Sequence, residues 1–285
     1  MITTTEHKRA IQGAQAFLFA PGNKVDIVRK ALNSEAQIII VDLEDAVPLN
    51  DKLATFRILR DELPSLLKAY PNRIILRTNA INTPFIEQDL ELVSSVGIDA
   101  IVLPKAESLA QLSEIEDRLR RPISFIPMIE SAKGIDQLKS IASHPSVIRV
   151  TLGNIDLQAD LNMKCSLDES ELLPLKFEMV VASRLFNLAA PIDGVTVNFQ
   201  STELIKAHIE SAKRIGFAGK LCIHPTQVGP VIKGFKPSTV EIENAQAIIS
   251  AAVNSNGAAV QFNGKMVDRP VVLMAQQILQ QAGIQ

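Results

Sequence analysis

The chain has 285 residues, 47% of them hydrophobic, enough to bury the core of one α/β barrel or of two smaller domains. Its 29 Lys and Arg nearly balance its 31 Asp and Glu, which excludes a global field able to recruit nucleic acid or an anionic membrane, so partners must be recognised locally. Cys165 and Cys222 are too few for a disulfide framework, and Cys222 reads as a small core residue.

The stretch from Met1 to Arg9 has no apolar segment of signal-peptide length, and no later stretch is apolar and long enough to span a bilayer. A soluble cytoplasmic protein without membrane contact is therefore expected. Strand-like runs then recur in chain order: Phe17 to Ala20, Gln37 to Asp42, Arg73 to Thr78, Ala100 to Leu103, Ile123 to Ile129, Val147 to Leu152, Asp193 to Val197 and Lys220 to Ile223. They are continuous and rich in Ile, Val and Leu rather than alternating, as parallel strands buried on both faces must be. Between them, Leu109, Leu112, Ile115 and Leu119 share one helical face, as do Ile135, Leu138 and Ile141, then Ile205, Ile209 and Ala212. The alternation predicts an α/β fold, a (β/α)8 TIM barrel over residues 1–235, with an open doubly wound sheet as the alternative topology. Residues 236–285 are surplus to a barrel. A helix from Glu241 to Val253, a turn at Asn254-Ser255-Asn256-Gly257, apolar runs around Asn263-Gly264 and a last helix from Pro270 form a C-terminal helical extension, expected to pack outside or against a neighbouring subunit.

In such a barrel, chemistry sits where the strands end. Those ends carry Pro21-Gly22-Asn23, Asp42 to Val47, Arg77-Thr78-Asn79, Pro104-Lys105, Glu130, Gly153 with Asp156, Asn198 with Gln200, and His224-Pro225. A carboxylate at a buried strand end is expensive to desolvate unless a cation or hydrogen bonds compensate it. Glu130 and Asp156 therefore read either as ligands of a shared divalent ion or as helix caps and partners of Arg77 and Lys105. Two carboxylates with open remaining positions suit Mg²⁺. Zn²⁺ is disfavoured, because His7, His144, His208 and His224 show no metal-ligand spacing. His208 reads as a solvated helix residue and His224 as an orienting hydrogen-bonding group. The planar fork of Arg77 suits a carboxylate or enolate oxygen, with Glu44 or Asp45 as the acid that orients it. There is no Gly-x-Gly-x-x-Gly, no phosphate-loop lysine and no Gly-x-Ser-x-Gly elbow.

Seven segments stand in the order seen in citrate lyase β-subunit-like proteins of the aldolase/citrate lyase (HpcH/HpaI-type) family, which the chain resembles from about Phe17 to the final helix. They are Phe17 to Gly22, Asp42 to Val47, Arg77 to Asn79, Leu103 to Lys105, Glu130 with Ser131 to Gly134, Gly153 to Leu157 with Asp160, and Gly219 to Gln227. The resemblance implies a Mg²⁺-dependent carbon-carbon lyase acting on a 3-hydroxy acid thioester of citramalyl-CoA, malyl-CoA or citryl type, giving an oxoacid and an acyl thioester. Glu130 and Asp156 would bind Mg²⁺. Arg77, supported by Glu44, would hold the oxoacid or the enolate, with Pro21, Gly22, Asn79 and Lys105 contributing to substrate binding. Asp268, in the segment Gly264 to Pro270, would be the acid/base, delivered from an adjacent subunit, and its alternative is a helix N-cap ahead of Pro270. A homo-oligomer, with a trimer favoured, and a CoA or carrier-protein thioester partner follow. The alternatives are the β-subunit of a multi-protein citrate lyase, a hydrolytic variant, and a catalytically weakened oxoacid- or CoA-binding protein. The last is motivated by departures from the family pattern: Gln15-Ala16 replaces Arg-Ser, removing a cation expected near the ligand, and Asn198 and Ser201 stand where Asp is common.

Overall fold

The computed structural model describes residues 4–254, 260–262 and 265–284. The anticipated turn at Ser255-Asn256-Gly257 and the Asn263-Gly264 pair lie outside them. Eight parallel strands close into a barrel: β1 (Ala16–Pro21), β2 (Ile38–Asp42), β3 (Ile74–Arg77), β4 (Ala100–Leu103), β5 (Ser124–Ile129), β6 (Thr151–Leu152), β7 (Ile192–Asp193) and β8 (Gly219–Cys222). Pairing of β8 with β1, Ala16 beside Lys220 and Leu18 beside Cys222, closes the ring and removes the doubly wound alternative.

Strand alternation determines what fills the interior. Phe17, Ile38, Ile40, Ile75, Val102, Ile126, Met128, Ile192 and Leu221 point inward and form one cluster, while Leu18, Ile39, Val41, Leu76, Ile101 and Ile129 are buried against the helices. Each such side chain contributes roughly 1.5–3 kcal/mol of apolar burial, so both faces stabilise the ring. Counting onward by two along each strand gives the uppermost inward layer. It contains Pro21 after Phe19, Asp42 after Ile40, Arg77 after Ile75, Glu130 after Met128 and Ile223 after Leu221. Polar residues thus stand in the top layer of the barrel wall itself.

The opposite end is plugged by the helix Thr4–Gly13, whose Ile11 joins the core, and by Arg149. Arg149 is wholly buried, donates to the carbonyls of Ile11, Ala14 and Ala190, and lies over the Phe17 ring at 5.3 Å. Burial without a neighbouring carboxylate pushes its pKa down to about 9.

β6 and β7 are shorter than the runs Val147 to Leu152 and Asp193 to Val197 predict. Val147 to Val150 stays buried beside β5 but pairs only through a Phe125–Val147 bridge, and past Asp193 the chain bonds to the side chain of Asn154. His208 corrects the expectation of a solvated residue: it is buried, its ring bonding Thr196 Oγ1 at 3.0 Å and the Leu167 carbonyl at 2.8 Å. It occupies the i+3 position from Ile205 on the inner face of the helix Thr202–Ile215.

The chain divides into two compact units between Ile232 and Lys233. In the second, the helices Thr239–Asn254 and Arg269–Gln281 pack on each other beside an antiparallel hairpin of β9 (Val260–Phe262) and β10 (Lys265–Val267). Among the described residues no helix is long and apolar enough to cross a membrane.

Candidate active site

The strand ends surround a cavity of about 400 Å³. Its floor is apolar, made by Phe19, Met128, Leu152, Val195 and Leu221, and its polar wall comprises Asp42, Asp45, Arg77, Glu130 and Asp156. A small polar cluster over a dry floor is the usual form of a small-molecule site.

Arg77 anchors one side. Asp42 and Arg77 are register partners on β2 and β3, so their side chains leave the sheet together. Arg77 Nε donates to Asp42 Oδ1 at 2.7 Å and Nη2 to Oδ2 at 2.6 Å, a bidentate fork. Nη1 lies 3.2 Å from Glu44 Oε2, Nη2 lies 3.5 Å from Asp45 Oδ2, and the guanidinium rests 4.8 Å above the Phe19 ring. Burial disfavours its charge, but the Asp42 bonds and the Asp42, Glu44 and Asp45 charges more than offset this and hold it permanently cationic. Burial also raises Glu44 to about 7 against the opposing pull of Arg77.

Glu130 stands across from it, only 3% exposed. Its Oε1 accepts from the backbone N–H of Lys105 at 2.7 Å, while Oε2 is buried with no hydrogen-bond partner. Lys105 presents that N–H from a left-handed conformation, φ 47°, which a non-glycine residue adopts at a cost of about 1 kcal/mol. Gly153 leaves room for the carboxylate, since a Cβ there would meet Glu130 Cβ at 2.6 Å. Burial, then the Glu44 and Asp156 charges, push Glu130 up to about 8. Asp156, half-buried in the first turn of the helix Asn154–Asp160, lines the same cavity.

An orphaned carboxylate oxygen facing further carboxylates calls for a cation. Among the described residues no three His, Cys, Asp or Glu side chains gather into a closed metal cage. Two carboxylates with the rest of the shell open fit a hard divalent ion that keeps waters or takes substrate oxygens, as Mg²⁺ does.

Of the other sequence candidates, Pro21 lines the cavity. Gly22 and Asn79 do not. Gly22 packs against the Asp42 carbonyl, to which its N–H donates at 2.9 Å. The Asn79 side chain is spent between Asp89 Oδ2 at 2.8 Å and Lys52 Nζ at 2.7 Å. Lys105 acts through its backbone, its ammonium being half-exposed and 3.8 Å from Glu44. Asp268 belongs to the second unit and caps the helix Arg269–Gln281, Oδ1 accepting from Val271 N at 3.3 Å.

The cation expected near the ligand at Gln15 is a misplacement. Gln15 precedes β1 at the plugged end of the barrel, where its Oε1 accepts from Gln37 Nε2 at 3.0 Å. Ser201 caps the helix Thr202–Ile215, and neither it nor Asn198 lines the cavity. Asp42 and Asn154 are cavity-lining residues to which sequence reasoning gave no role. The shared register of strand ends was the available signal for Asp42.

Residues 15–225 match the model of the HpcH/HpaI aldolase/citrate lyase family. The chain is 33% identical over 282 residues to the citrate lyase subunit beta of Leuconostoc mesenteroides subsp. cremoris, covering 94% of this chain and 93% of that protein. It is 31% identical over 272 residues to a (3S)-malyl-CoA thioesterase of Cereibacter sphaeroides, with 94% of each covered. Its fold is similar to the crystal structure of CitE from Mycobacterium tuberculosis in complex with magnesium, acetoacetate and coenzyme A. The TM-score is 0.84 at 29% identity, over 95% of this chain and 99% of that one.

Proposed function

Because this chain belongs to the HpcH/HpaI aldolase/citrate lyase family, we propose that it is a Mg²⁺-dependent carbon-carbon lyase acting on a short 3-hydroxy acid thioester of citramalyl-CoA, malyl-CoA or citryl type. The observation that carries the proposal is the convergence of Arg77, Glu130 and Asp156 on one cavity, with Glu130 Oε2 buried and unpartnered. The magnesium of the similar CitE complex supports Mg²⁺ as the ion. Glu130 and Asp156 hold it, and when bound it supplies Lewis-acid polarisation of the oxygen that becomes the oxoacid ketone.

The remaining chemistry belongs to the chain. Cleavage breaks the bond between the hydroxyl-bearing carbon and the thioester α-carbon; the hydroxyl proton passes to the Asp268 carboxylate, and the bonding pair becomes a thioester enolate. Asp42 takes two of the five Arg77 donors and the Glu44 and Asp45 carboxylates lie beside the guanidinium, so the fork is fixed before substrate arrives, and its N–H groups not bonded to Asp42 face the oxoacid carboxylate or enolate oxygen. The floor of Phe19, Met128, Leu152 and Val195 keeps water from that enolate. Asp268, supplied by the C-terminal unit of a neighbouring subunit in a trimer, is the acid/base that takes the hydroxyl proton as the bond breaks and returns it to the α-carbon.

The test is a panel of 3-hydroxyacyl-CoA compounds assayed with Mg²⁺ and with chelator, for the native chain and Glu130→Ala. Oxoacid release that requires Mg²⁺ and Glu130 supports the lyase. Metal-independent activity, or full activity in Glu130→Ala, overturns it. The similarity to a (3S)-malyl-CoA thioesterase favours hydrolysis as the second reading, identified by free CoA and intact hydroxy acid in place of oxoacid.

A further inference from the structure

Backbone pairing between β6 and β7 is limited to Thr151 beside Ile192, and beyond it the side chain of Asn154 takes over. Asn154 Oδ1 accepts from Val195 N at 2.9 Å, and Nδ2 donates to Val195 O at 2.9 Å and to Glu169 Oε1 at 2.8 Å. A primary amide offers the donor and acceptor of a peptide group, so Asn154 serves as a surrogate rung that ties the end of β6 to the chain leaving β7. It is 1% exposed, and both donors of its amide are used. Gly194 makes the approach possible, because a Cβ there would meet Asn154 Cγ at 2.5 Å.

The consequence reaches Asp156. Asn154 opens the helix Asn154–Asp160, and Asp156 follows two residues later. Seven residues are too few to hold an orientation by helix propensity, so tertiary ties must set it. Among the described residues, side-chain hydrogen bonds supply two: the Asn154 clasp at the start, and at the end Asp160 Oδ2, which accepts from Ala132 N at 2.7 Å just past Glu130. Glu169 extends the first tie. It stands at φ 52° in the loop before the helix Leu173–Leu185, with Lys176 Nζ at 3.7 Å and His208 Nδ1 at 4.0 Å.

We propose that Asn154 is a positioning residue whose clasp on Val195 fixes the Asp156 carboxylate relative to Glu130 and thereby sets the divalent-cation affinity of the site. The proposal rests on the reading of Glu130 and Asp156 as the Mg²⁺ ligands. Calorimetric titration of the full chain with Mg²⁺ tests it without any activity assay. Asn154→Ala and Gly194→Ala should each weaken binding roughly 10- to 100-fold, the usual consequence of losing a support behind a metal ligand. Glu169→Ala removes only one of the three bonds and keeps the fold testable if the buried variants fail; a loss of about threefold is expected. Thr151→Val deletes a buried hydrogen bond to Ile192 O in the same strand pair, and should lower Tm while leaving Mg²⁺ affinity within about twofold. Absence of Mg²⁺ binding in the native chain would overturn the ligand assignment itself. Native binding that persists unchanged in Asn154→Ala, Gly194→Ala and Glu169→Ala, or falls equally in Thr151→Val, would overturn the role of Asn154 alone.

Discussion

Asp42 and Arg77 are register partners on adjacent strands, and their side chains form a bidentate pair at 2.7 and 2.6 Å in the wall of the cavity. Asp42 also accepts from the backbone N–H groups of Glu44 and Ala46, so one carboxylate fixes both the guanidinium and the loop that brings Glu44 to it.

Asp42→Asn is accordingly expected to damage catalysis more than folding. The amide keeps the volume but turns an NH₂ toward the Arg77 donors and leaves the guanidinium to Glu44 and Asp45. A fall in kcat/KM of roughly 10- to 100-fold is expected, as for other supports behind a functional group. Steady-state kinetics beside thermal unfolding checks it: unchanged kcat/KM would show that the fork needs no support from Asp42.

Gly153→Ala should disable the site without touching a charged residue. The new Cβ overlaps the space held by Glu130, and the carboxylate must rotate away or the strand end must shift. Overpacking of this kind costs about 1–3 kcal/mol, and the displaced Glu130 should lower Mg²⁺ affinity at least tenfold. Calorimetric Mg²⁺ titration and denaturant unfolding report the two effects separately.

Gln15→Arg, which restores the residue common in the family, should leave kcat/KM within about twofold. β1 rises about 3.3 Å per residue, so Gln15 lies roughly 20 Å below Pro21, at the plugged end beside Gln37. Only the Gln15–Gln37 side-chain bond is lost, and a shift of a few degrees in Tm is the expected outcome. A kinetic change of tenfold or more would show that this end communicates with the cavity.

The barrel was legible because strands buried on both faces cannot alternate, so Ile38 to Val41 or Ile74 to Leu76 announce themselves as continuous apolar runs. The place of Glu130, Asp156 and Arg77 on the cavity wall was legible for the complementary reason: charge at the end of such a run demands compensation. Choosing among Asp42, Glu44 and Asp45 as the main Arg77 partner needed register, which depends on how β2 meets β3 and not on either strand alone. Asn154 was illegible because its partners, Val195 and Glu169, come from distant segments. His208 was readable, since it continues the stripe of Ile205, Ile209 and Ala212. The Gln15 position was readable too, by counting residues along β1.

The acid limit of stability should be set by Asp193. This wholly buried carboxylate at the end of β7 receives Lys220 Nζ at 2.6 Å and lies 2.8 Å from Lys176 Nζ. Burial alone would raise its pKa, but Lys220 and Lys176 outweigh it and bring it down to about 2. A carboxylate depressed in the native state binds fewer protons there than when unfolded, so its contribution is complete above the ordinary Asp range near 4 and is lost as pH falls toward 2. The depression corresponds to about 2 kcal/mol. Asp193→Asn removes that pH dependence but takes from Lys220 its carboxylate partner and from Lys176 the nearer of its two, a loss of roughly 3–5 kcal/mol at neutral pH. Urea unfolding of both proteins at pH 7, 4 and 2.5 separates the terms. The native chain should lose stability between the last two points by more than Asp193→Asn does, and parallel profiles would remove Asp193 from the acid transition.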